Sequence, residues 1–96
     1  MKIELKKFGT TLLSRQYGRE AFAALQPRLS AINSNEIIEI DFEGVLTFSP
    51  SWGDEFLTPL LNKFGDRLVL LPTENLSVIA TLPILEKIIG KKFKKL

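Results

Sequence analysis

The 96-residue chain contains no cysteine and no histidine. That excludes Cys/His zinc sites, iron–sulfur clusters, disulfide scaffolds and thiol nucleophiles. It also excludes a Ser-His-Asp triad and leaves no imidazole to shuttle protons near neutral pH. A small hydrolase is therefore a poor reading, and the expectation is a protein that is not an enzyme. Long apolar runs are absent too. The longest, Ala21–Leu25 and Leu68–Leu71, fall far short of the ~20 residues of a membrane span. Met1–Lys7 alternates charged and apolar residues and has no signal-peptide core. With no cysteine to stabilise it outside, a cytoplasmic location is expected. The six glycines form neither G-x-G-x-x-G nor the Walker spacing, so nucleotide binding through those motifs is excluded. No cofactor and no metal site is expected.

What is present is an ordinary globular composition, 45% apolar and 25% charged, enough for one small domain with a modest core. The net charge of +2 is unevenly placed. Lys91, Lys92, Lys94 and Lys95 supply four of the 13 basic residues, leaving nine against 11 acidic residues in 1–90. The reading is a single domain over 1–90 and a basic tail over 91–96. Such a run usually forms a solvated, mobile terminus. The basic character thus belongs to the tail and not to a binding face, which argues against nucleic acid as the partner.

Apolar periodicity divides the chain. Ile3 and Leu5 alternate with Lys2, Glu4 and Lys6, which predicts a strand over 2–7. Ser14 can cap a helix reaching about Asn33, with Tyr17, Ala21, Leu25, Leu29 and Ile32 as its apolar stripe. Pro27 predicts a kink or an early stop. A second strand covers Glu36–Phe42. A helix from Pro50 or Ser51 to Phe64 has Trp52, Phe56, Leu57, Leu60, Leu61 and Phe64 as its stripe, with Pro59 inside it and Gly65 at its end. Leu68–Leu71 reads as a third strand buried on both faces. A last helix, interrupted by Pro83, runs from Asn75 or Ser77 to Gly90. The alternation predicts an α/β fold: a mostly parallel sheet of three to four strands with about three packed helices.

The most distinctive stretch runs from Ile40 to Phe56. A strand ends in Asp41-Phe42, followed by Glu43-Gly44-Val45, a hydroxyl-rich loop and a helix start. Asp41-Phe42-Glu43-Gly44-Val45 resembles the Asp-x-x-Gly-type turn of STAS domains, the sulfate-transporter and anti-sigma-factor-antagonist family. Ser49-x-Ser51-Trp52-Gly53-Asp54-Glu55, with Ser14-Arg15 and Gly18, resembles more closely a compact STAS-like group of unassigned function. The resemblance implies a small α/β sandwich and a protein-interaction, regulatory role like that of the antagonists. It further implies a partner such as a histidine-kinase-like ATPase or anti-sigma factor, and phosphorylation in the loop. Partner binding would fall on Thr47, Phe48, Ser49, Ser51, Trp52, Asp54 and Glu55, with Ser49 and Ser51 as phosphoacceptor candidates. Counted without gaps from Asp41, the family's acceptor position falls on Pro50, between the two serines.

Plainer readings stand beside these. Ser49 before Pro50 is a helix cap, and Ser51 with Asp54 is a rival cap. Asp54 and Glu55 suit the positive end of a helix dipole without any metal. Trp52 is either a core plug or an exposed anchor. A nucleic-acid-associated accessory role for the basic tail, with Arg15, Arg19 and Arg28, is the alternative function.

Overall fold

In a computed structural model describing residues 1–96, the first strand, β1, covers only Lys2–Glu4. The alternation through Lys7 predicts a longer one. Leu5–Phe8 instead tighten into a 3-10 turn that buries Leu5. That turn brings Phe8 against Phe56, with ring centroids 5.3 Å apart. Next come β2 (Thr11–Leu12) and helix α1 (Arg15–Leu29). The helix runs through Pro27 and stops at Leu29, short of Asn33, where the Ser30 hydroxyl donates to the Pro27 carbonyl. Strand β3 is Ile38–Asp41, β4 is Thr47–Phe48, and α2 is Pro50–Phe64. The chain ends with β5 (Leu68–Leu70), α3 (Leu76–Ile89) and β6 (Lys94–Lys95).

Strands β1, β3, β5 and β6 form one sheet in that order, every pair parallel. The order advances in one direction, with a helix in each crossover. Right-handed crossovers that all step the same way place their helices on the same side of the sheet. The core follows this rule. Ile3, Ile40 and Leu70 stand in register and belong to the main apolar cluster. Lys2, Glu39, Val69 and Lys94 stand in register on the other face. The run Leu68–Leu70 is buried on both faces as expected, but the helices lie on one of them: Val69 is buried outside the main cluster, flanked by polar neighbours. Helix α2 is central and packs against both α1 and α3. Its predicted stripe is entirely buried.

The basic terminus is also corrected. Its four lysines are exposed, but it is not a free tail, because Lys94–Lys95 pair with Val69 and Leu70 as the edge strand. Phe93 drops into the core with 5% of its surface exposed. Its N–H donates to a Glu86 carboxylate oxygen at 2.8 Å, and Lys95 pairs with the same oxygen at 2.9 Å. No helix is long and apolar enough to cross a membrane.

Candidate functional site

The loops leaving β1 and β3 emerge from the same end of the parallel sheet. There they join as a second, two-stranded ladder in which β2 pairs in parallel with β4. Leu46 and Thr47 N–H groups donate to the Thr10 carbonyl, and the Ser49 N–H donates to the Leu12 carbonyl at 2.9 Å. Both strands lead directly into helices. The ladder therefore sets the N-termini of α1 and α2 side by side. Ser14 Oγ accepts from the Tyr17 N–H at 3.0 Å, and Ser49 Oγ accepts from the Trp52 N–H at 3.2 Å. Helix α3 is tied to the same end: Ser77 Oγ accepts from the Phe48 N–H, and Thr81 donates to the Phe48 carbonyl at 2.8 Å.

Helices α1 and α2 approach closely enough that one residue must lack a side chain. A Cβ on Gly18 would sit 2.6 Å from the Trp52 carbonyl oxygen. Beside this contact, Arg15 Nη1 donates to Asp54 at 2.8 Å and to Glu55 at 3.0 Å. Thr58 Oγ1 donates to the second Asp54 oxygen at 3.0 Å. The Arg15 hydrogen bonds hold the Asp54 carboxyl below its ordinary range, against a smaller opposing effect of burial. Ser14, Arg15 and Gly18 thus have separate tasks: a cap, a clamp across the helices, and a point of close approach.

The residues singled out from the sequence gather at this corner, but not all at its surface. Phe48 and Trp52 are core residues, with Trp52 1% exposed. They form an aromatic series with Phe42 and Phe56, with successive centroids 5.5, 6.0 and 4.8 Å apart. Trp52 is accordingly a plug, not an exposed anchor. The Ser49 hydroxyl is occupied on both sides, since besides capping α2 it donates to the Leu13 carbonyl at 2.7 Å. Ser51 and Thr47 are half-buried and their hydroxyls make no hydrogen bond within the chain. Asp54 and Glu55 face Arg15 and not one another. Asp41 lies apart from them, buried, and accepts from the Glu43 N–H at 3.0 Å.

Two surface residues were missed by sequence reasoning. Tyr17 was assigned to the apolar stripe, but it is 66% exposed, and Leu13 is exposed next to it. The buried line on α1 is Gly18, Ala21, Leu25 and Leu29. Ala21, Leu25 and Leu29 of the expected stripe are buried; its first position differs, because the closest contact there is made by a glycine that carries no hydrophobic signal. Gly18 marks this contact in the sequence, and Gly53 marks a second close approach, between α2 and the Phe48 and Leu85 side chains. A Cβ on Gly53 would meet the Phe48 ring at 2.9 Å and Leu85 at 3.0 Å.

The model of one protein family, described as a STAS-like domain of unknown function (DUF4325), matches residues 17–77. That range holds most of α1, the Asp41–Val45 turn, the serine loop and all of α2. No curated protein and no solved structure gives a significant match. With well over half of its length covered by that match, and with the parallel sheet and helix layer described above, the chain belongs to the STAS-like family.

Proposed function

We propose that this chain is a non-enzymatic, regulatory protein-interaction module of the cytoplasm. It docks a partner through the exposed corner where α1 and α2 begin, and phosphorylation of Ser51 gates that docking. The single observation that carries the reading is the contrast between the two serines. Ser49 Oγ is held by the Trp52 N–H and the Leu13 carbonyl, whereas Ser51 lies one residue inside α2 with an unengaged hydroxyl.

The physics of the position supports a reversible charge. A phosphoryl group adds about −1.5 to −2 charge. On the first turn of α2 it meets the positive end of the helix dipole, so the fold tolerates it. Ser51 also stands three and four residues before Asp54 and Glu55, on the same helix face. The added charge repels both carboxylates and competes for Arg15. The partner then meets a strongly acidic corner in place of a balanced ion pair flanked by Leu13 and Tyr17. A histidine-kinase-like ATPase or anti-sigma factor is the partner class that the family resemblance supplies.

The test is affinity capture on the immobilised full chain, read by mass spectrometry, with Ser51→Ala and Ser51→Glu in parallel. The expected result is one partner retained by wild type and Ser51→Ala and lost by Ser51→Glu. Equal capture by all three removes the gate, and equal capture by a Tyr17→Asp variant removes the corner as the docking face.

A further inference from the structure

We infer that the outward face of α3 is a self-complementary surface that pairs two copies of this chain, helix against antiparallel helix. Helix α3 is mostly apolar, yet only Val78, Thr81, Leu82 and Leu85 are buried. Leu76, Ile79, Ile84 and Ile88 are exposed. These four are nearly half of the nine large exposed apolar side chains of the molecule, so the exposure is concentrated and not scattered. Ala80 and Pro83 lie between them on the same face, exposed and small enough for a second helix to approach closely.

The ends of this stripe select the occupant. Glu74 is exposed before the first turn, and Lys87 is exposed in the last. A two-fold axis beside Ala80 and Pro83 sets Ala80 against Pro83 of the second copy, with Ile79 and Ile84 flanking that contact on its two sides. It also brings Glu74 towards Lys87 of that copy, at both ends of the contact. The two helix dipoles then run antiparallel, which is favourable. An acidic group at one end of the stripe weakens the case for an anionic bilayer. The area is sufficient: at ~200 Å2 for a fully exposed aliphatic side chain, the four residues expose on the order of 500 Å2. Two copies then bury roughly 1,000 Å2, the lower bound for a specific interface. The groove of about 420 Å3 between Leu71, Ile79, Pro83 and Leu96 extends the same surface towards β6. The family match ends at Ser77, so this face from Ile79 onward lies in the part of the chain that the match does not describe.

Sedimentation velocity on the full chain, from low to high micromolar concentration, tests the inference. The expected result is a mass rising from 10.8 kDa towards twice that value. Ile84→Glu, on an exposed site, weakens the dimer about 1,000-fold, because each interface contains the change twice, while the circular dichroism spectrum stays unchanged. Glu74→Lys and Lys87→Glu each weaken it, and the double variant restores it, a rescue that only the antiparallel arrangement produces. A monomer at every concentration overturns the inference, as does a dimer that ignores Ile84→Glu. Flotation of the monomer with phosphatidylglycerol vesicles, abolished by Ile84→Glu, also overturns it and assigns the face to a membrane surface.

Discussion

Replacing Gly18 by alanine sets two effects of known sign against each other. Alanine is the better helix former by about 1 kcal/mol, so helix propensity alone predicts a more stable protein. The added Cβ, however, would lie 2.6 Å from the Trp52 carbonyl oxygen, 3.1 Å from the Trp52 Cα and 3.2 Å from the Glu55 Cβ. Carbon–oxygen contacts settle near 3.3 Å or beyond, so α1 and α2 must part by on the order of 0.7 Å. The obstructing atoms are mostly backbone and cannot rotate away. Overpacking of this kind costs about 1–3 kcal/mol, and the upper end applies here. The cost outweighs the propensity gain by about 2 kcal/mol. In a domain of this length, that lowers the melting temperature by roughly 8–16 °C. The assay is thermal unfolding followed by circular dichroism and by the fluorescence of Trp52, which lies at the contact. A control on the same helix is Ala24→Gly at an exposed position, where only propensity acts and the loss is about 1 kcal/mol. A Gly18→Ala variant as stable as wild type, or more stable, refutes the close approach of the two helices.

Two further outcomes are expected. Ser49→Ala removes a cap and the bond to Leu13 together and lowers stability by about 2 kcal/mol in urea unfolding; Ser51→Ala stays within about 0.5 kcal/mol. Equal losses would show that the hydroxyls are not used differently. Acid titration also has a definite sign. Hydrogen bonds from Arg15 lower the Asp54 pKa. At Glu86, burial alone would raise the pKa, but Lys95 and the Phe93 N–H outweigh it and lower it. Both carboxylates bind protons less readily folded than unfolded. Their stabilisation is complete above the ordinary values of 3.8 and 4.5 and disappears as pH falls through the lower folded values. Melting temperature should therefore fall below about pH 4.5, and Glu86→Gln should flatten part of that decline. A melting temperature independent of pH in that range contradicts the two pairings.

Long periodic segments were legible without coordinates. The three helices, the cap at Ser14 and the parallel strands at Ile38–Asp41 and Leu68–Leu70 follow from spacing and capping chemistry, whereas the choice of Ser49 over Ser51 and of Asn75 over Ser77 as caps is made by the structure. Short elements were not. Thr11–Leu12 and Thr47–Phe48 are two residues each, too short to show a period of two, and their pairing is set by the loops around them. Strand β6 was hidden because its residues are lysines, and one phenylalanine among charges is a weak signal of burial. Val69 shows that an unbroken apolar run does not specify which face the helices cover. The residues singled out from the sequence lie together at one corner, but only the packing separates the buried Trp52 and the engaged Ser49 from the exposed Tyr17 and the unengaged Ser51.

The β2–β4 ladder has a consequence for how any signal leaves this corner. Strands that enter two helices and are hydrogen-bonded to each other leave those helices no independent swing. A charge placed at the start of α2 would therefore act as a change in electric potential and not as a lever. The information it carries is read by whatever approaches, through encounter rate and ionic-strength dependence. Structures of the wild type and a charged variant should then superimpose backbone for backbone, even as their association kinetics diverge at low salt and converge at high salt.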